Sequence, residues 1–176
     1  LFAGIEADIT EIGDFFVYDI GRESIVITRD ENERISAFYN VCQHRGNKIV
    51  TLESGSLNKI SCPYHGWSYA LNGKLEHVPD RELFEGGVSC EEKSLKSVRV
   101  SVWAGLIFIN MDENSPSLET FLGPIIDQLK PYKFEEMNLV KHQTVDVLET
   151  NWKTVRDNFL EQYHVDFIHH QHASFV

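Results

Sequence analysis

Asn40-Val41-Cys42-Gln43-His44-Arg45-Gly46-Asn47 and Ser61-Cys62-Pro63-Tyr64-His65-Gly66-Trp67 are the two segments on which the reading of this chain turns. Each offers one thiolate and one imidazole, as Cys-x-His in the first and Cys-x-x-His in the second, with seventeen residues between His44 and Cys62. Two sulfurs and two ring nitrogens make a donor set for a transition metal or an iron–sulfur cluster. Structural zinc also takes two Cys and two His, but its knuckles pair Cys with Cys and His with His at characteristic short spacings. Here each turn mixes the two types, and Cys-x-His is too short for that pattern. The set fits a [2Fe–2S] centre in which two His replace two Cys on one iron, an arrangement that raises the reduction potential above that of an all-Cys cluster.

The neighbours sharpen this expectation. Gly46 and Gly66 lack a Cβ, so each loop backbone is expected to approach a cluster closely and to donate N–H groups to it. Pro63 stiffens the second turn. Trp67 is expected to act as an apolar lid that limits water access.

Outward from the loops the chain reads as β-rich. Phe15–Ile20 and Glu23–Arg29 are short runs of β-branched and aromatic residues split by Gly21-Arg22, the pattern of a hairpin. Arg34–Tyr39 alternates with period two and runs directly into the first loop. Ser68–Ala70 and Lys74–Glu76 flank Leu71-Asn72-Gly73, a turn with an Asn-Gly signal. Val98–Trp103 and Leu106–Asn110 form a last hairpin through Ala104-Gly105. Short strands with regular turn signals predict a small antiparallel sandwich with the two loops at its tip. Met111–Pro116 is a polar break, and a domain boundary is expected between Asn114 and Ser115.

Beyond it, Ser117 is expected to cap a helix carrying Leu118, Phe121, Leu122, Ile125, Ile126 and Leu129 on one face, weakened or delayed by Pro124. Residues 140–149 alternate and predict a strand. From Asn151 the spacing of Trp152, Val155, Phe159 and Tyr163 predicts a helix on which Asp157, Glu161 and His164 share a face. His169 lies five residues past His164, about 140° round an ideal helix. The helix must therefore end, or take a π-type turn, for both His to reach one metal. His77 and His142 show no partner pattern, and His170 and His172 are expected at the surface or just behind the ligands.

The 176 residues carry a net charge of −11 and are 42% hydrophobic, as expected for a globular protein. No apolar run reaches the length of a membrane span. The acidic balance argues against a nucleic-acid partner. Cys90, in an acidic stretch, is left over as a free thiol, which suits a reducing cytoplasm. The chain begins at Leu1 and is expected to be a fragment.

The two loops, together with Gly13-Asp14-Phe15-Phe16, the run from Trp103 to Asn110, Asn151-Trp152-Lys153 and the run from Asn158 to His164, resemble the alpha subunits of Rieske non-haem iron (ring-hydroxylating) oxygenases over almost the whole chain. The resemblance implies an α+β chain: an all-β Rieske sandwich over 1–114, then over 115–176 the truncated start of an α/β helix-grip (START-like) catalytic domain. It implies that Cys42, His44, Cys62 and His65 hold a [2Fe–2S] cluster and that His164 and His169 are the two His ligands of a mononuclear Fe(II). The third ligand would lie beyond Val176, with Asp157, Asp166 and Glu161 as substitutes. Glu161 matches the carboxylate that bridges the Rieske His of one subunit to the mononuclear His of the next.

By the same resemblance, electrons come from NAD(P)H through a flavin reductase, a ferredoxin or both. They pass through Glu161 to the iron that activates O2, and the product is a hydroxylated aromatic or quaternary-amine substrate. Many ring-hydroxylating members have Asp where Glu161 stands, so the substrate class stays open. A homotrimer or an α3β3 assembly in the cytoplasm is implied, with no membrane and no nucleic acid. Asn47 and Tyr64 stand where the respiratory type of Rieske protein has an extra Cys pair, and Trp67 where it has a hydroxyl donor, which implies a lower potential. Two other classes stay open: a Rieske-type ferredoxin, which would end soon after Asn110, and a structural zinc protein.

Overall fold

The computed structural model describes residues 1–137, 149–169 and 171. It divides into two compact units, Leu1–Asn138 and Leu139–Val176. The first holds ten strands: β1 (Phe2–Ile5), β2 (Asp14–Ile20), β3 (Glu23–Arg29), β4 (Ile35–Tyr39), β5 (Ser54–Ser56), β6 (Ile60–Ser61), β7 (Ser68–Tyr69), β8 (Leu75–His77), β9 (Arg99–Trp103) and β10 (Leu106–Asn110). They make three antiparallel sheets, in the orders β4-β3-β2-β5, β1-β10-β9 and β6-β7-β8. The predicted hairpins are all present. β2 pairs with β3 from Phe15↔Thr28 to Ile20↔Glu23, and β9 with β10 through Trp103↔Leu106. The latter turn needs Ala104 and Gly105 both at positive φ, 53° and 75°, the conformation that matches strand twist in two-residue hairpins.

β3 explains the layering. Ile25, Val26 and Ile27 are consecutive and all buried, so both faces of this strand are covered. Ile25 and Ile27 point into one apolar cluster with Ile9, Ala37, Val98, Ile107 and Ile109, between the four-stranded sheet and β1-β10-β9. Val26 points the other way, with Phe15, Phe38, Ile60, Trp67, Tyr69 and Leu75. That second cluster also contains Cys42 and Cys62, so the base of the metal loops is part of a hydrophobic core. Thr28 Oγ1 donates to the carbonyl of Leu71 at 2.7 Å, and Leu71 N–H donates to Glu31 Oε1 at 2.8 Å. These bonds tie the small sheet carrying the second loop to the large one.

The polar stretch after β10 does not end this unit. Arg99 Nη1 donates to the Ser115 carbonyl and, at 2.7 Å, to Ser115 Oγ, which holds the turn against β9. α1 (Leu118–Leu122) follows, its first turn capped by Ser117 Oγ, which accepts from Thr120 N–H at 3.2 Å. Gly123 and Pro124 then split the expected helix into two, the second being α2 (Ile125–Leu129).

In the second unit, Asn151 Oδ1 caps α3 (Trp152–Phe159), and α4 (Val165–Ile168) follows. The helix predicted to carry Asp157, Glu161 and His164 on one face therefore stops before Glu161. Two local bonds explain this: Leu160 N–H is shared between the carbonyls of Arg156 and Asp157, tightening the last turn, and the Glu161 carboxylate accepts the N–H of Tyr163. The strand expected over 140–149 falls, but for its last residue, outside the described residues, as do His142, His170 and His172. Among the described residues no helix is long and apolar enough to cross a membrane.

Candidate metal centres

The two Cys-His loops have one backbone design. Cys42 N–H donates to the Asn47 carbonyl at 2.9 Å, and Gly46 N–H donates back to the Cys42 carbonyl at 2.9 Å. Cys62 N–H donates to the Trp67 carbonyl at 2.8 Å, and Gly66 N–H to the Cys62 carbonyl at 3.0 Å. Gly46 and Gly66 sit at φ +74° and +71°, a left-handed conformation that only glycine adopts without strain. The expectation for these glycines is thus corrected: their N–H groups are used to close each loop on its own cysteine, and it is the positive φ that requires them.

The loops sort their donors by type. Cys42 and Cys62 are buried free thiols that interact with each other. His44 Nδ1 and His65 Nδ1 lie 3.1 Å apart. Two nitrogens at that separation can both reach one metal at about 2.1 Å. Two neutral lone pairs facing each other so closely need a proton or a cation between them. Burial, the largest influence, pushes the Cys42 thiol above its ordinary value, so a cation is needed to hold it as a thiolate. Burial also pushes the His44 ring down, assisted by the neighbouring His65, Arg45 and Lys93, which favours the neutral, ligating form. The residues therefore fit a two-sulfur, two-nitrogen cluster. Among the described residues no three His, Cys, Asp or Glu converge on one point, and a cluster that takes two ligands per iron requires no such group.

Aromatic rings fix the imidazoles. Trp67 is buried and stacks on His44, with centroids 4.8 Å apart and planes 7° apart. Phe84 meets both rings edge-on. Trp67 is thus a support for the His44 ring. Tyr64 lies over His65 at 3.9 Å and is 60% exposed.

Sequence reasoning missed Tyr69. Its hydroxyl lies 3.3 Å from Cys42 Sγ and accepts the N–H of Gln43 at 3.2 Å. With that N–H filling one lone pair, the phenolic proton is directed at the sulfur. Burial, foremost, pushes the phenol well above its usual pKa, so it remains a donor. The respiratory-type hydroxyl position holds Trp67, but a hydroxyl arrives from two residues further on. Trp67 and Tyr69 alternate to the same side of the strand, which was the available signal. Removing one hydrogen bond to a thiolate is expected to lower the one-electron potential of a loaded cluster by roughly 40–60 mV. Potentiometry on a Tyr69→Phe chain checks this, and a native potential would refute the tuning role.

In the second unit Glu161 accepts from His164 Nδ1, and this bond is the chief reason its carboxyl sits below the usual range. The His164 and His169 rings are 5.4 Å apart and edge-on. With Nδ1 engaged by Glu161, Nε2 is the ring nitrogen that His164 has left to offer a metal. Around the break between α3 and α4, Glu161 thus meets His164 and the His169 ring lies beside that of His164, two pairwise contacts that, among the described residues, do not converge as one three-donor group.

A β-sandwich with twin loops presenting paired sulfurs and paired imidazoles defines the class: an iron–sulfur electron-transfer domain. Residues 4–97 match the Rieske [2Fe-2S] domain, and residues 134–176 match the catalytic domain of the ring hydroxylating alpha subunit. The chain belongs to the Rieske [2Fe-2S] family, in the branch of the oxygenase alpha subunits. It is 33% identical over 96% of its length to the glycine betaine monooxygenase oxygenase subunit of Pseudomonas aeruginosa, covering 39% of that protein. It is 35% identical over 90% of its length to the carnitine monooxygenase oxygenase subunit of Escherichia coli, covering 42% of it. Among solved structures, a quaternary ammonium Rieske monooxygenase in complex with L-carnitine superposes with a TM-score of 0.89 at 31% identity, over 100% of this chain and 50% of that one. Naphthalene 1,2-dioxygenase with indole bound gives 0.84 at 33% identity, over 99% and 39%. The chain thus spans about two fifths of the length of these curated relatives.

Proposed function

We propose that this chain is the cluster-binding part and the opening of the catalytic part of a Rieske-type oxygenase that hydroxylates an aromatic or quaternary-amine substrate. In this reading residues 1–114 form the cluster domain and 115–176 begin the catalytic domain, whose first residues, up to Asn138, belong to the same compact unit as the cluster domain. The observation that carries it is the sorting of Cys42 with Cys62 and His44 with His65 on matched loops. When bound, a [2Fe–2S] cluster supplies one-electron transfer, and a mononuclear iron in a two-His, one-carboxylate set supplies O2 activation.

The chain's own residues do the rest. Cys42, Cys62, His44 and His65 would hold the cluster, the two thiolates as one pair of ligands and the two imidazoles as the other. The buried Trp67 and Tyr69 keep water from the sulfurs. His164 and His169 would supply two ligands of the second metal. Glu161 holds the Nδ1 proton of His164 and orients that ring, and its carboxylate is the group through which a neighbouring subunit's cluster His would be coupled. Such an arrangement calls for a closed head-to-tail ring of three chains. The reductant is NAD(P)H, by way of a flavin reductase with or without a ferredoxin, in the cytoplasm.

The exposed apolar side chains of α3 and α4, among them Trp152, Phe159, Phe167 and Ile168, support the view that these helices open a larger domain. Iron and sulfide analysis of the full-length protein tests the reading. About three irons and two acid-labile sulfides per chain are expected. Iron and sulfide in equal number would mean a carrier without a catalytic centre, and zinc without sulfide would end the proposal.

A further inference from the structure

The two metal loops are closed in different ways. The second lies between strands that pair on either side of it, Ile60↔Tyr69 and Ser61↔Ser68. The first has no such ladder: β4 stops at Tyr39, and only an isolated bridge, Val41↔Lys48, spans the loop. In its place stands Asn40, a polar residue that is 1% exposed. Its Oδ1 accepts from Ile49 N–H at 3.1 Å and Val50 N–H at 2.8 Å, and its Nδ2 donates to the Val50 carbonyl at 2.7 Å and to Ser24 Oγ at 3.3 Å. Every hydrogen-bonding position of the amide is filled. Its backbone N–H also donates to the Ser24 carbonyl of β3 at 2.8 Å. One side chain, two residues before Cys42, thus mimics a rung of sheet and pins residues 49–50 beneath the loop.

We propose that Asn40 is the positioning residue of the first loop, fixing where Cys42 and His44 stand relative to Cys62 and His65. This rests on the cluster reading above. An amide buried in this way is an expensive group to keep unless all its bonds are made, and here three of the four tie Asn40 to residues 49–50 at the far end of the loop and the fourth goes to Ser24 of β3. Asn40 touches no donor atom, so it acts through Cys42 and His44.

The test uses the 176-residue chain reconstituted anaerobically with iron and sulfide. Three readings are taken: the rate of iron release to a chelator, the g-values of the dithionite-reduced rhombic EPR signal, and the melting temperature. Asn40→Leu is expected to release iron at least about tenfold faster and to shift the g-values. Asn40→Asp, which keeps the acceptor but turns an oxygen toward the Val50 carbonyl, is expected to fall between. Ser24→Ala removes only the longest bond and is expected to behave as the native chain. Ser36→Ala breaks a side-chain bond to Asp30 away from the loops and is expected to lower the melting temperature without changing iron release or g-values.

Native release and g-values in Asn40→Leu would overturn the proposal. If Asn40→Leu does not fold, the same result in Asn40→Asp overturns it. Faster release in Ser36→Ala, matching that of the Asn40 variants, would reduce the effect to general destabilisation and overturn it as well. A native chain that never gives a rhombic signal overturns the cluster reading and this proposal together. A native chain with the signal and an indifferent Asn40 overturns this proposal alone.

Discussion

A Cys42→Ser chain is expected to be colourless after reconstitution, with no rhombic EPR signal on reduction and cluster occupancy reduced more than about 100-fold. The expectation rests on position as much as on chemistry. Cys42 is buried, belongs to the apolar cluster beneath the loops, faces Cys62 and receives the Tyr69 hydroxyl. Serine fits this space and can hydrogen-bond to Tyr69, so the fold should survive while the soft thiolate ligand is gone. Cys90→Ser is the matched control. Cys90 is also a free thiol packed against the same apolar cluster, but it lies apart from the two loops in sequence and donates to neither. It should keep full colour. Equal iron and sulfide contents in Cys42→Ser and native chains would remove Cys42 from the ligand set.

Glu161→Gln in the full-length protein is expected to leave the Rieske absorption intact and to slow product formation by on the order of 100-fold. Gln can still accept the His164 Nδ1 proton, but it loses the charge that stabilises that bond and offers one acceptor oxygen where the carboxylate offers two. The carboxylate now serves His164 and the Tyr163 N–H, and nothing with a single oxygen can also take a third donor well. Single-turnover measurements after prior reduction of the cluster separate a slow coupling step from slow substrate binding. Unchanged turnover would strip Glu161 of the bridging role. Mixed assemblies of the proposed ring of three sharpen the point. A Cys42→Ser chain retains an intact Glu161, and a Glu161→Gln chain retains an intact cluster site, so assemblies containing both should regain partial turnover if coupling crosses between subunits. Well-formed mixed trimers without any recovery would count against it.

The strands and the paired loops that carry Cys42, His44, Cys62 and His65 were legible because their signals are local. Alternation in residues 35–39, turn residues at 21–22 and 104–105, and Cys-His spacing in two short loops each act within a few residues. A polar break such as Met111–Pro116 is local too, yet whether it ends a compact unit is not a local matter. Arg99, in sequence far from the break, draws it onto β9, and the unit extends to Asn138.

The end of α3 shows a related effect. Helical periodicity continues through Glu161 and His164, but two side-chain and bifurcated backbone bonds at residues 160–163 outcompete another turn of helix. Glu161 thereby reaches His164 from outside a helix, and the predicted pairing arises by a geometry that periodicity did not describe.

The residue types and their spacing were enough to decide the sandwich and to single out Cys42, His44, Cys62, His65, His164 and His169 as candidate donors. Only the folded chain decided that Tyr69 aims a proton at Cys42, that Trp67 supports the His44 ring, and that Asn40 stands in for a missing rung of sheet. The division has one physical cause. Metal ligation and strand formation depend on what neighbours along the chain offer, whereas hydrogen bonds between residues 40 and 50, or 42 and 69, exist only after burial has brought them together and made each unsatisfied polar group costly.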